Sequence, residues 1–124
     1  SGWSNEGGEW QYLEYGEPVR DEWRHIDGRW YVFDAAGRMV ASSWHLDGDT
    51  YYYLGEDGGM LSSQWLQYHD SWYYLGRDGA MAADCYVPDP RGWCYVDKYG
   101  QWDGVYCERL PVGPGVRVVD NQEH

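Results

Sequence analysis

Basic residues are scarce in this chain: 9 Lys and Arg stand against 21 Asp and Glu in 124 residues, a formal charge of −12. Such a field repels a phosphate backbone, and the cations are scattered singly, which excludes nucleic acid as a partner. Cysteine occurs three times, too sparsely for a dense disulfide scaffold. No apolar run approaches membrane-spanning length and no signal-peptide pattern opens the chain. Ser1-Gly2 reads as a remnant in front of a module excised from something larger. No helical 3.6-residue period runs for a useful length. Phenylalanine is almost missing, with one copy, and the aliphatic residues are too few for a conventional sandwich core. What fills the gap is nine Trp and thirteen Tyr. Both cover large areas while keeping a polar edge for water or a ligand.

These aromatics are periodic. Trp23, Trp44, Trp65 and Tyr86 stand 21 residues apart. Seven residues after each comes Trp30, Tyr51, Trp72 or Trp93, and seven further on comes Gly37, Gly58, Gly79 or Gly100. Two beyond the glycine stand Met39, Met60, Met81 and finally Trp102. An imperfect earlier unit runs from Trp3 through Trp10 and Tyr12 to Gly16 and Pro18, one residue short before Trp23. We count repeat positions from 0 at Trp23 and its equivalents.

Within a unit, "WYYL" at 72–75 suits a strand and "GRDG" at 76–79 supplies a turn. A turn there puts Tyr74 opposite Met81 and Trp72 opposite Ala83. Asp34–Gly37, Gly55–Gly58 and Asp97–Gly100 fill the same place, so their acidic residues are turn formers first. A hairpin this small cannot bury a face alone, so neighbours must stack. The expected fold is all-β, a solenoid of stacked β-hairpins with a 21-residue repeat: about five units over residues 3–107, then a capping segment or linker over 108–124. In that last segment Pro111 and Pro114 make a bend, "VRVVD" offers a short capping strand, and the charged tail from Asp120 should be mobile.

Catalysis finds no constellation here. Neither "SSW" nor "DSW" beside the histidines has the glycine-flanked elbow of a serine nucleophile. Asp47 with Asp49, and Glu56 with Asp57, sit in turns facing water, with no reason for shifted pKa values. Cys85, Cys94 and Cys107 lack the close pair of a structural zinc site, and the acidic turns lack the alternation of a calcium loop. The reading is a non-enzyme without cofactor or metal.

The unit "W-x4-G-x-WYY-L-x3-G-x-M-x4-W" resembles the cell-wall-binding repeat shared by choline-binding modules and the glucan-binding repeats of Gram-positive surface proteins, over about residues 3 to 107. The resemblance implies a secreted or cell-wall-attached module that anchors a parent protein to choline-substituted teichoic acid or to a glucan. It also implies self-association through terminal repeats as a homodimer. An extracellular setting permits one disulfide, Cys94 with Cys85 or with Cys107.

By that resemblance, together with the strand-face argument, ligands sit in three-walled aromatic boxes floored by methionine. The first box takes Trp23, Trp30 and Met39 with Tyr53 from the next unit. The second takes Trp44, Tyr51 and Met60 with Tyr74, and the third Trp65, Trp72 and Met81 with Tyr95. Ring faces attract a quaternary ammonium, which cannot donate hydrogen bonds, through their quadrupoles. A glucan reading uses the same rings as stacking platforms, with Gln64, Gln67, His45, His69, Asp49 and Asp70 taking hydroxyls. A spacer whose aromatics only pack is the non-binding alternative.

Overall fold

The computed structural model describes residues 1–119; the mobile tail expected from Asp120 onward lies outside the described residues. The strands pair antiparallel in five small sheets. The first has three strands, β1 (Gly2–Ser4), β2 (Gln11–Glu14) and β3 (Glu17–Pro18). Four two-stranded hairpins follow: β4 (Trp23–Ile26) with β5 (Arg29–Val32), β6 (Ser43–Asp47) with β7 (Thr50–Leu54), β8 (Gln64–Tyr68) with β9 (Ser71–Leu75), and β10 (Cys85–Asp89) with β11 (Gly92–Val96). A single 3₁₀ turn at Glu6–Gly8 is the only helical element among the described residues. This is the repeat organisation of a hairpin solenoid, and none of these sheets closes into a barrel.

The hairpins close at a different turn from the one expected. Trp65 pairs with Tyr74 and Tyr68 with Ser71, so the ladder turns at His69-Asp70, ahead of the GRDG segment. In β4–β5 the turn is Asp27-Gly28, with φ of 52° and 84°, the double left-handed conformation that suits a two-residue hairpin. The segment from Gly76 to Gly79 is a second turn that reaches only one bridge, Leu75 with Met81; the expected pairs Tyr74–Met81 and Trp72–Ala83 do not form. In the β4–β5 repeat both turns, Asp27-Gly28 and Asp34–Gly37, carry Asp and Gly, so turn chemistry alone does not rank them. The acidic residues of the second turn do shape it. Asp34 Oδ1 accepts from the Ala36 and Arg38 amides, and Asp97 Oδ1 from those of Tyr99 and Gln101.

The chain divides into two compact units, residues 1–47 with 53–61 and residues 48–52 with 62–124. Each unit stitches its repeats in the same way. In the first, the Met39 amide donates to the Trp10 carbonyl at 2.8 Å and the Met60 amide to Trp30 at 2.9 Å. In the second, Met81 donates to Tyr51 at 2.8 Å and Trp102 to Trp72 at 3.0 Å. Position 16 therefore bonds to position 7 of the preceding repeat.

The same positions pack side by side. Gly58, at φ 88°, lies so close to Met39 that an added Cβ would collide with its sulfur, and Gly100 stands in the same relation to Met81. Position 10 is fully buried in each of the four repeats, as Phe33, Leu54, Leu75 and Val96. Burying such a side chain contributes about 1.5–3 kcal/mol. In the second unit the core is Tyr74, Ala82, Cys85, Val87, Cys94 and Val96, with Trp65, Trp102 and Val119 packed against it.

The end of the array uses chain outside the repeat. Cys107 exchanges both backbone hydrogen bonds with Trp93. Val118 adds a parallel bridge to Tyr86, whose amide donates to the Arg117 carbonyl and whose carbonyl accepts from Val119.

The expected disulfide is absent: Cys85, Cys94 and Cys107 are all free thiols. Register explains it. Cys85 pairs with Val96 and Cys94 with Val87, which sets the two cysteines diagonally across β10–β11, two rungs apart. Such diagonals run to roughly 7–8 Å, beyond the usual Cα reach of a bridge. Cys107 pairs with Trp93, so its side chain takes the face opposite to that of the adjacent Cys94. Burial pushes the Cys94 thiol up to about 11 and raises that of Cys85.

Candidate functional site

Position 7 of the repeat carries rings that the core does not absorb. Trp10, Trp30, Tyr51 and Trp72 are 40 to 45% exposed, although each backbone carbonyl is tied into the inter-repeat stitch. Large rings held by rigid strands and left half open are what a ligand platform requires.

In the first unit a cavity of about 260 Å³ is lined by Trp3, Trp10, Tyr31, Met39 and Asp57. Its walls are steep to one another. The Trp3 and Trp10 rings lie 6.0 Å apart at 87°, and Trp3 meets Tyr31 at 5.0 Å and 75°. Trp3 is on β1, Trp10 stands just before β2, Tyr31 is on β5, and the Met39 stitch fixes the floor. Asp57 is the charged member. The Arg29 guanidinium holds its carboxyl below the usual range, by hydrogen bonds of 2.6 and 3.3 Å, and the Gly59 amide adds another at 3.0 Å. The Arg29 guanidinium itself lies against Gly59, where any Cβ would displace it.

In the second unit a cavity of about 360 Å³ is lined by Trp65, Trp72, Asp89, Arg91, Cys94, Trp102 and Tyr106. Trp65 meets Trp102 at 5.9 Å, and Trp102 meets Tyr106 at 4.9 Å. The Trp102 indole N–H donates to the Val105 carbonyl at 3.0 Å, which fixes the ring. Both cavities follow one rule: positions 0 and 7 of one repeat meet positions 8 and 16 of the next. Cys94 and Trp102 stand where Tyr31 and Met39 stand in the first.

The residues expected to form boxes are distributed differently. Trp23 and Trp30 are neighbours, 6.5 Å apart at 79°, but Met39 lies in the cavity with Trp3 and Trp10. Tyr53 packs on Trp44 at 5.1 Å. Tyr51 presents an exposed ring, while Met60 bonds through its amide to Trp30. Trp65 and Trp72, both assigned to the third set, line the second cavity. Met81, however, rests against Gly100, and Tyr95 packs on Tyr86 and donates its hydroxyl to Asp84 at 2.7 Å, which pushes its pKa up to about 12. Tyr74 is buried against Trp65.

Sequence reasoning missed Trp3, Trp10, Tyr31, Asp57, Trp102 and Tyr106. The 29- and 30-residue offsets of the stitch relate Trp10 to Met39 and Trp102 to Trp72, while Trp3, Tyr31, Asp57 and Tyr106 lie outside that relation. The polar residues of the glucan reading stand apart from both cavities. His45 packs its edge on Trp23, and Gln64 donates to the Ser62 carbonyl. Gln67, His69, Asp49 and Asp70 are exposed and line neither cavity. Among the described residues no group of three acidic, histidine or cysteine side chains is placed to hold a metal ion.

Comparison with known proteins agrees with this geometry. Two profiles of the choline-binding repeat match, over residues 19–65 and 59–102. Choline-binding protein F of Streptococcus pneumoniae is 32% identical over 82% of this chain, with a TM-score of 0.68. This chain spans 33% of that protein's length. The endolysin of phage Cp-1, solved with choline, shares the fold at 24% identity over 94% of this chain and 40% of its own, with a TM-score of 0.64. A truncated alternansucrase of Leuconostoc mesenteroides shares it at 21% identity over 83% of this chain and 10% of its own, with a TM-score of 0.74. Curated protein sequences give no match. With the 21-residue period, the inter-repeat aromatic cavities and two matching profiles, the chain belongs to the choline-binding repeat family.

Proposed function

We propose that this chain is a non-catalytic, extracellular binding module that takes choline groups of a cell-wall polymer such as teichoic acid into its aromatic cavities. The observation that carries the reading is the cavity of Trp3, Trp10 and Tyr31 over Met39, three steep ring faces with one ionised carboxylate. A trimethylammonium group has no hydrogen to donate, and ring faces plus a negative field are the surroundings that favour it. A pyranose would need several fixed hydroxyl partners, and this cavity offers one carboxylate, already paired. Trp65 and Trp72 supply the corresponding walls in the second unit, and Trp23, Trp30, Trp44 and Tyr51 hold the same repeat positions.

A single such cage binds weakly, at the millimolar level, since a cation–π contact is worth about 0.5–2 kcal/mol. Several cages on one polymer give useful anchoring through effective concentration. The relatives' greater length leaves room for further domains, and what a parent protein does with this anchor lies with them. Pairing of two copies through an end of the array completes the reading, and sedimentation at low and high salt tests it, since a −12 chain repels its copy.

Tryptophan fluorescence during titration with choline, and then with isomalto- and malto-oligosaccharides, tests the function. Choline should shift the spectrum, with a smaller change in Trp10→Ala and in Trp72→Ala. A shift with oligosaccharides alone would transfer the assignment to glucan.

A further inference from the structure

Position 8 of the repeat is Tyr31, Tyr52 and Tyr73 in three units and Cys94 in the fourth. Tyr31 is a ring wall of the first cavity, and a thiol at the same place in the second offers no π face to a cation. The second cavity has a further ring all the same. Tyr106 enters it from position 20, where Ser43, Gln64 and Cys85 stand in the other repeats, and meets Trp102 at 4.9 Å and 53°. Backbone bonds fix its place. The Cys107 amide donates to the Trp93 carbonyl at 2.8 Å, and the Trp93 amide to the Cys107 carbonyl at 2.7 Å. The first of these is the bond that position 16 makes to position 7 elsewhere in the array, made here by the residue just after the fourth unit. Gly92 lets that chain come close: at φ 143°, an added Cβ would stand 2.8 Å from the Cys107 carbonyl oxygen and 3.2 Å from the Tyr106 Cβ.

The ring is also held from its face. Arg91 lies over Tyr106, with Cζ 4.8 Å from the centroid. Asp89, whose side chain is only 8% exposed, sets that pose by accepting from the Arg91 amide at 2.9 Å and from Nε at 3.2 Å. Both groups line the cavity, so its edge carries a paired cation and carboxylate and leaves recognition to the rings. Tyr106 remains 36% exposed, so Arg91 and Trp102 do not use up its surface. We propose that Tyr106 is the third cation-binding wall of the second cavity, in the place that Cys94 leaves without a ring, and that Asp89, Arg91 and Gly92 are the positioning residues that present it. This rests on the choline reading above and names the residue that completes its second cage.

Tyr106→Phe and Tyr106→Leu separate the ring from its bulk. Choline and its neutral isostere 3,3-dimethylbutan-1-ol are titrated against both variants and wild type, with the indole N–H resonances of Trp72 and Trp10 reporting the second and first cavities. Tyr106→Phe should keep the choline affinity read at Trp72, and Tyr106→Leu should lose about two- to fivefold, the worth of one exposed cation–π face. Affinity for the alcohol should be the same in both variants, and Trp10 should respond alike in all three proteins. In wild type the choline methyl protons should show an NOE to the Tyr106 ring, a reading that needs no variant to fold. An NOE to Trp72 without one to Tyr106, or a choline affinity unchanged in Tyr106→Leu, overturns the proposal. So does an equal loss of choline and of the alcohol in Tyr106→Leu, which would make the ring a spacer. A response at Trp10 with none at Trp72 also removes it and leaves the choline reading standing. Silence at both removes that reading itself.

Discussion

Replacing Gly58 by alanine probes the link between the repeat and its cavity. Gly58 sits at φ 88°, where an L side chain costs about 1–2 kcal/mol. Its new methyl would also run into the Met39 sulfur and its neighbours, an overpacking that costs about 1–3 kcal/mol more. The total loss should be about 2–5 kcal/mol. Gly28→Ala is the control, because Gly28 has φ 84° but nothing within 4 Å of an added Cβ, so it should lose only the conformational part. Because Met39 also floors the first cavity, pushing it aside in Gly58→Ala should weaken choline there as well. Urea denaturation of wild type and both variants, with choline titration read at Trp10, makes the comparison. Equal destabilisation in the two variants, or an unchanged cavity in Gly58→Ala, would refute the idea that the turn glycine exists to seat the methionine.

Further expectations come from other features. Ser42 and Ser63 adopt φ of 53° and 54° two residues before the repeat tryptophan, so Ser63→Gly should raise the thermal midpoint, by about 0.5 kcal/mol of relieved strain net of chain entropy. Glu14 and Asp57 have carboxyls lowered by their hydrogen bonds to Arg24 and Arg29. Lowered carboxylates contribute stability that is present above their unfolded pKa and lost as pH falls through the folded one. Stability should therefore hold at neutral pH and fall below about pH 4, and Asp57→Asn should flatten part of that fall in acid denaturation. All three cysteines should count as thiols after unfolding without reductant. In the native state, Cys94 should react with a thiol reagent far more slowly than a free thiol would, because it is buried and its pKa is high.

Legibility in the sequence followed what a fixed spacing can encode. The period, the antiparallel hairpins and the aromatic positions 0 and 7 could be read directly, because each recurs with its own residue type. The ladder turn could not be ranked, because Asp27-Gly28 and the Asp34–Gly37 segment present the same chemistry. The residue that lines the second cavity beside Trp65 and Trp72 is Cys94, one position from Tyr95, for a reason of parity. Tyr53, Tyr74 and Tyr95 at position 9 share a strand face with the exposed ring at position 7, and two residues at position 9, Val32 and Tyr74, are core. The residue that closes a box comes instead from position 8, on the opposite face, as Tyr31 does against Trp3. The methionine was placed in its own repeat because nothing in a repeat of 21 shows that position 16 bonds backwards. Asp89, Arg91 and Tyr106 lie in the irregular fourth unit, where no repeat signal exists to flag them.

The central claim is that the cavities recognise positive charge through ring faces, and a neutral isostere tests it most directly. Choline and 3,3-dimethylbutan-1-ol have nearly the same shape, with carbon replacing the charged nitrogen in the second. Each is titrated while the indole resonances of Trp3, Trp10, Trp65 and Trp72 are followed. The account predicts saturable shifts with choline in the millimolar range, and affinity for the alcohol lower by about 5- to 30-fold, the worth of roughly 1–2 kcal/mol of cation–π attraction. Equal affinity for the two would show an apolar slot indifferent to charge, and would contradict the account.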